Sequence, residues 1–344
     1  MEDGRLKASF LSPYKIVKPY FEGISPATIE VHPTYPCNYN CEWCIDKELM
    51  DKGDNHDIKS MLTEEGVREI IRFAVERGTK GIIISGGGEP TLNKNNELLV
   101  KLADENGIVI GMFTNGSQLD DEKIKTYVDH LSFLRFSFDD FNAVNYAKTK
   151  GTTERMYEKV LDNIRRTVKY RNESGNTKCR IGIDFIFIPT NVDKIEAIYQ
   201  KSLDLGVDYL QLCDCIIVGY KFTKRRNSII QKGIEKVYEH KLANNVTMDV
   251  VYEPLQQENY IACKDCNLTE FLVQVGADGN VRPCAHCARR DDLSYGNIYE
   301  KSFSEIWDNR PRKLDTDYLF ENCRYRKQNE IINGLKNITH GEMV

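Results

Sequence analysis

Gly81-Ile82-Ile83-Ile84-Ser85-Gly86-Gly87-Gly88-Glu89-Pro90 decides the fold. Its apolar run has the length of a short strand, and it stops in a glycine turn that carries a carboxylate. Just before it, residues 63–77 place Val67, Ile70, Ile71, Phe73 and Ala74 at helical spacing. Thr63 is suited to cap that helix, Glu64 and Glu65 favour its first turn, and Gly78 ends it. A short apolar strand that follows an amphipathic helix is half of a βαβ unit. Near-continuous apolar strands of this kind belong to parallel sheets covered on both faces.

The same alternation recurs on either side. Strand-like runs fall at residues 27–33, 81–85, 109–114, 133–138, 180–188 and 209–216, with helical patterns between them. One such helix presents Tyr157, Val160, Leu161, Ile164 and Val168. Six strand–helix units are two short of a closed eight-fold barrel. The expected fold is therefore α/β, an open, partial (β/α)6 TIM-like barrel. After residue 247 the pattern changes. Residues 247–252 read as one more strand, and 271–275 with 281–282 read as a β-hairpin turning at Asp278-Gly279. Helices are expected at about 304–309 and near the C-terminus. The expected organisation is an N-terminal extension (1–26), a barrel (27–245) and a small hairpin-and-helix domain (246–344).

Composition narrows the function classes. The 344 residues are 41% hydrophobic and 29% charged, as in an ordinary globular protein. The net charge of −5 offers no overall attraction for nucleic acid or anionic lipid. The basic run at residues 221–226 reads as a solvated segment, with a docking patch for an acidic substrate or redox partner as the alternative. No apolar run approaches the roughly 18 residues of a membrane span, and the charged start leads into no signal core. A cytoplasmic protein is expected.

The chain has 11 cysteines, and they are bunched: 37, 41 and 44; then 263, 266, 284, 287 and 323, with 179, 213 and 215 between. In a reducing compartment such bunching points to metal rather than disulfides. The spacing Cys37-x3-Cys41-x2-Cys44 lets three thiolates project from one loop around a compact [4Fe–4S] cluster. Three ligands leave one iron open for a small molecule. A zinc knuckle is the alternative, with His32 as its nearest fourth ligand.

The other expected strands also end in polar or glycine-rich groups: Gly86-Gly87-Gly88-Glu89-Pro90, Thr114-Asn115-Gly116, Ser137-Phe138-Asp139-Asp140, Pro189-Thr190-Asn191 and Cys213-Asp214-Cys215. In a parallel barrel these ends converge on one mouth, where active sites lie. Asp214 is a candidate substrate contact there, while at least one of Cys213 and Cys215 reads as core and Cys179 as structural.

In this order, the cysteine triplet with Trp43 before its last member, the Gly86–Pro90 turn, Thr114-Asn115-Gly116 and Ser137-Phe138-Asp139 resemble the radical S-adenosylmethionine superfamily over roughly residues 27–217. The resemblance implies that the open iron is chelated by the amino and carboxylate groups of S-adenosylmethionine. It implies that Glu89 and the backbone of Gly86, Gly87 and Gly88 contact the methionine amino group. Ser137, Asn115 and Asp139 would contact the cofactor, and Tyr39 and Trp43 would flank the cluster and the adenine. The implied chemistry is reductive cleavage to a 5′-deoxyadenosyl radical, which abstracts hydrogen from an unactivated C–H bond.

Cys263-x2-Cys266 and Cys284-x2-Cys287 around a hairpin also have zinc-ribbon spacing. However, residues 279–284 with Tyr295-Gly296-Asn297-Ile298, Phe303-Ser304-Glu305-Ile306-Trp307 and Cys323 resemble the SPASM/Twitch extension of the same superfamily. Five cysteines, with Phe320 where a further pair would begin, imply one auxiliary [4Fe–4S] cluster on Cys266, Cys284, Cys323 and Cys263, with Cys287 competing for the fourth place. The expected activity is hydrogen abstraction from a small polar substrate such as a sugar, aminocyclitol or nucleoside. The net reaction would be an oxidation, decarboxylation or epimerisation, with flavodoxin or ferredoxin as reductant. A maturase of ribosomally made peptides is the first alternative, although only 36 residues precede Cys37. A non-catalytic electron-transfer protein is the second.

Overall fold

A computed structural model describes residues 20, 22–47, 58–215, 224–253, 266–288, 290–312, 314, 323 and 325–337. Cys263, Phe320 and residues 221–223 lie outside the described residues.

Among the described residues ten strands form one sheet. Its strands are β1 (Thr28–Val31), β2 (Gly81–Ile84), β3 (Val109–Thr114), β4 (Phe133–Ser137), β5 (Arg180–Phe187), β6 (Tyr209–Asp214), β7 (Asp249–Glu253), β8 (Leu272–Val275), β9 (Asn280–Arg282) and β10 (Gly296–Asn297). The order is β10-β9-β8-β1-β2-β3-β4-β5-β6-β7. β1 to β7 pair in parallel in chain order, which is the expected open barrel. The hairpin extends this sheet, because β8 pairs parallel with β1 while β9 and β10 run antiparallel.

The intervening helices are α1 (Glu64–Arg77), α2 (Asn96–Glu105), α3 (Asp121–His130), α4 (Ala143–Lys150), α5 (Glu154–Ser174), α6 (Ile195–Leu205) and α7 (Lys224–Ala243), with α8 (Phe303–Asn309) and α9 (Arg326–Asn337) after the hairpin. α1 starts and stops on its expected signals: Thr63 accepts the Gly66 N–H at 3.1 Å, and Gly78 turns left-handed at φ 73°. Among the described residues no helix is long and apolar enough to cross a membrane.

Strand alternation sorts the two faces of the sheet. Ile29, Val31, Ile82, Ile84, Leu134, Phe136, Leu210 and Leu212 share one core with the helices. The intervening positions turn to the concave side, where Glu30, Arg135, Asp184, Gln211 and Cys213 lie. The C-terminal segment is locked to the barrel through α1. Phe303 stacks on Phe73 with centroids 3.8 Å apart, Glu69 accepts the Phe303 N–H at 2.7 Å, and buried Trp307 donates to Gly23 O at 3.1 Å.

Candidate functional site

The cysteine loop follows β1 and lies against the glycine turn after β2. Gly87 has φ 82°, and a methyl group added at Gly88 would stand 1.9 Å from the Pro36 carbonyl oxygen. Only glycine lets the two backbones approach this closely. Gly86 is less confined, since the same methyl would meet nothing closer than Asp46 Oδ2 at 3.3 Å. The contact is fixed by Glu89 N–H donating to Pro36 O at 3.0 Å and Gly87 N–H donating to Asp46 Oδ2 at 3.1 Å. Asp46, two residues beyond Cys44, carries no motif of its own in the sequence.

The Glu89 side chain is turned inward and taken up by the fold. Oε1 accepts from Thr91 N at 3.1 Å, Thr91 Oγ1 at 2.6 Å and Thr114 Oγ1 at 2.6 Å, and Oε2 accepts from Asn115 N at 2.7 Å. One carboxylate thus fastens the ends of β2 and β3 together. Asn115 carries the link onward, its Nδ2 donating to Asn38 Oδ1 at 2.9 Å, while Asn38 donates to Ser117 Oγ at 2.7 Å. The cysteine loop is thereby tied to β3.

Cys37, Cys41 and Cys44 form no disulfide. Two buried aromatics fix their loop. Tyr39 meets Tyr146 edge to face at 6.2 Å, and Trp43 packs with Ile188 and Cys215. On the other side, the C-terminal end of α4 offers its last carbonyls: Lys150 O accepts Asn40 N–H at 3.0 Å and Thr149 O accepts Glu42 N–H at 2.9 Å. Burial pushes the Cys41 thiol pKa up, and the Lys150 ammonium opposes that shift. Lys150 is itself buried and pairs with buried Asp139. Burial works against its charge, but Asp139 and Cys41 outweigh that cost and hold its pKa above that of an ordinary lysine. Asp139 also accepts the Ile186 N–H at 2.7 Å.

Beneath the mouth, Ser137 sits opposite Asp184 in the β4–β5 register, and Cys213 donates to Asp184 Oδ1 at 3.3 Å. Asp214 takes the other side of β6, sharing the face of Leu210 and Leu212, and accepts from Tyr252 OH at 3.2 Å. Alternation thus brings Cys213 and Asp184 into the concave side, whereas Asp214, the expected substrate contact, lies on the face of Leu210 and Leu212. Arg135 closes the floor, 4.7 Å from the Phe113 ring centre and donating to Tyr209 OH at 3.1 Å. A cavity of about 300 Å³ opens on the far side of that floor, at the N-terminal ends of the strands and away from the mouth, lined by Ser132, Phe133, Arg135, Arg180, Tyr209 and Asp249 among others.

Asp184 titrates in the fold at about 6, raised first by burial and then by the Asp139 charge. The folded chain therefore keeps a proton that the unfolded chain releases near pH 4. Stability from this group falls as pH rises from about 4 to about 6. Asp184→Asn is expected to flatten that fall, measured as urea midpoints across this pH range. An unchanged pH slope would show that Asp184 is not desolvated.

Four C-terminal cysteines meet in one small packed group. Cys284 and Cys287 are buried with Leu268, Leu272 and Ile332, and Cys266, Cys323 and Tyr325 pack against them. The Cys284 and Cys287 sulfurs are 3.8 Å apart. Tyr325 also reaches back to the barrel, donating to Glu30 Oε2 at 2.7 Å, and Glu30 Oε1 accepts from Ser85. Among the described residues no three His, Cys, Asp or Glu side chains converge around a single-ion site.

The model of the Radical SAM superfamily matches residues 31–201, and that of SPASM, an iron-sulfur cluster-binding domain, matches 266–333. A tungsten-containing aldehyde ferredoxin oxidoreductase cofactor-modifying protein of Pyrococcus furiosus is 26% identical over 317 residues, covering 84% of each chain. A probable GTP 3′,8-cyclase of Sulfurisphaera tokodaii is 24% identical over 299 residues, covering 82% of this chain and 88% of its own. Among solved structures, Streptococcus suis SuiB bound to S-adenosylmethionine superposes with a TM-score of 0.63 at 15% identity, over 91% of this chain and 68% of that one. The protein anSMEcpe with bound AdoMet gives a TM-score of 0.64 at 16% identity, over 89% of this chain and 85% of that one.

Proposed function

Because the chain belongs to the radical S-adenosylmethionine superfamily and carries a SPASM iron–sulfur domain, we propose that it abstracts hydrogen from a small polar substrate in a net oxidation, decarboxylation or epimerisation. [4Fe–4S] clusters and S-adenosylmethionine are its cofactors. When bound and reduced, the cluster supplies the electron that cleaves S-adenosylmethionine and so generates the hydrogen-abstracting 5′-deoxyadenosyl group.

The donor set fits that group. Cys37, Cys41 and Cys44 offer three soft sulfur ligands from one loop, and that loop is held to α4 by the backbone bonds of Asn40 and Glu42, which do not use the thiols. The Gly86–Gly88 backbone would meet the methionine amino group. Glu89 would act by positioning that backbone and Asn115, since its carboxylate is already hydrogen-bonded within the fold. Asn115, committed to Glu89, Asn38 and Ser117, would likewise position the cysteine loop. Ser137 remains the better placed direct contact. For the auxiliary cluster, the shared packing of Cys266, Cys284, Cys287 and Cys323 supports Cys287 as the fourth ligand; Cys263 lies outside the described residues.

The observation that carries the substrate class is the polar row of Ser137, Asp184, Gln211 and Cys213 below the cofactor motifs, above an aromatic and arginine floor. Such a surface suits a compact molecule rich in hydroxyl or amino groups, as polar pockets fix orientation through a few placed donors and acceptors. The names of the two sequence relatives, a cofactor-modifying protein and a GTP cyclase, agree with that choice. A flavodoxin- or ferredoxin-type protein would supply the electron. The second reading, modification of a peptide, is favoured by the solved structures: SuiB is seen bound to its precursor peptide SuiA, and anSMEcpe with AdoMet and the Kp18Cys or Cp18Cys peptide.

The test is anaerobic reconstitution, followed by 5′-deoxyadenosine measured by mass with candidate sugars, aminocyclitols, nucleosides and peptides. A small polar molecule that raises 5′-deoxyadenosine above the substrate-free background, with deuterium transfer from one carbon, is the expected result. Stimulation by peptides alone would overturn the substrate class. About eight irons and eight sulfides per chain are expected for two cubanes; about four irons with one zinc would put a zinc ribbon at the C-terminal cysteines.

A further inference from the structure

Lys150 and Asp139 form a buried ion pair where the proposed ligand loop meets the barrel. The Lys150 side chain is 3% exposed and that of Asp139 is 0% exposed. The ammonium stands 5.2 Å from the ring centre of Trp43, which immediately precedes Cys44. The carbonyls of Thr149 and Lys150 hold Glu42 and Asn40, so the end of α4 straddles Cys41. Gly151 turns left-handed at φ 57°, and a methyl group there would fall 2.3 Å from Asn40 O, so the helix end cannot back away from the loop.

A pair this buried is an expensive way to fasten two segments. Desolvating two charges costs about as much as their attraction returns, and a well-packed apolar pair of similar volume would hold as firmly. The charges do something an apolar pair would not: in a low-dielectric site a fixed charge acts strongly on any neighbour whose own charge changes. A cluster on Cys41 changes its charge by one unit on each reduction.

We infer that Lys150 and Asp139 set the reduction potential of the cluster held by Cys37, Cys41 and Cys44. Lys150 favours the reduced, more negative state, and Asp139 limits that effect. Both are positioning residues, since neither is placed to touch the substrate. The inference rests on the assignment of the cluster to these three cysteines.

The test is a redox titration of the reconstituted full-length enzyme without S-adenosylmethionine, followed by the EPR signal of the reduced cluster. The C-terminal cluster is titrated separately in a Cys37→Ala/Cys41→Ala/Cys44→Ala variant and subtracted. At the wild-type midpoint the oxidised and reduced forms are equal. Lys150→Met is expected to shift that ratio at least about tenfold toward oxidised, a potential about 59 mV more negative for one electron. Asp139→Asn is expected to shift it several-fold toward reduced. The double variant Asp139→Asn/Lys150→Met, which leaves no unpaired charge to disturb folding, should return to within about threefold of wild type. Lys150→Arg should stay near wild type.

A purely structural staple predicts that both single variants lose iron alike and that neither moves the potential of the iron retained. Shifts of the same sign, or none at full iron content, would overturn the inference. Absence of any cluster signal from Cys37, Cys41 and Cys44 in the wild-type enzyme would instead overturn the functional assignment on which it rests.

Discussion

Cys41→Ala is expected to abolish formation of 5′-deoxyadenosine and to lower the iron content by about four per chain, while the barrel stays folded. The three thiols are the only soft donors that the described mouth presents from a single loop, so removing one leaves the proposed cluster two protein ligands. The fold should survive because the loop is held by other bonds. Asn40 and Glu42 donate to the carbonyls of α4, Asn38 is bonded to Asn115, and Tyr39 is packed on Tyr146. None of these uses the Cys41 sulfur. Iron and sulfide assays, far-ultraviolet circular dichroism and a 5′-deoxyadenosine assay on the same preparation check all three parts. Cys179→Ala serves as the control: Cys179 is fully buried in the core, far in sequence from both cysteine groups, and its loss should remove no iron. Retention of every iron and of cleavage activity in Cys41→Ala would refute the ligand assignment.

What the sequence reveals about this site is whatever local patterning encodes. The Gly81–Pro90 stretch announces a strand and its turn because apolar run, glycine and carboxylate are contiguous, and β2 ends at Ile84 just before that turn. Thr63 and Gly78 act within one helix and are equally plain. The cysteine triplet is legible because its three thiols share a stretch of eight residues.

Features that depend on distant parts of the chain are not legible in this way. Nothing local tells β8 that its partner is β1, more than 240 residues earlier, so the hairpin reads as an appended unit although it extends the barrel sheet. Lys150 lies at the end of an ordinary helix. Its importance comes from Asp139 and Cys41, which reach it only after α4 folds back on the loop. Glu89 is the subtler case. A carboxylate beside a glycine turn suggests a ligand contact, and only the three-dimensional arrangement shows four internal donors already upon it. The parity of β6 could have been read from the sequence, since Leu210 and Leu212 mark the covered face and put Cys213, not Asp214, on the concave one.

Glu89→Gln is accordingly expected to act on stability first and on cofactor affinity through it. The carboxylate receives two backbone N–H groups and two hydroxyls. The hydroxyls of Thr91 and Thr114 can rotate and accept instead, but the N–H groups of Thr91 and Asn115 cannot. They sit on opposite oxygens, Thr91 N on Oε1 and Asn115 N on Oε2, so either orientation of the amide sets its NH2 against one of them. A buried N–H left without an acceptor costs about 1–3 kcal/mol, and the surviving bonds lose the extra strength of a charged acceptor. A total near 3–5 kcal/mol follows, which for a chain of this size lowers Tm by roughly 4–7 °C. The freed end of β3 should also release Asn115 from the cysteine loop, weakening S-adenosylmethionine binding at least about tenfold, or 1.4 kcal/mol. Thermal melts with equilibrium dialysis of the reconstituted variant measure both effects. Because the loss comes from two fixed N–H donors rather than from a ligand contact, the fall in Tm should be just as large in the cluster-free protein. A Tm within a degree or two of wild type, accompanied by lost affinity, would instead place Glu89 directly on the cofactor.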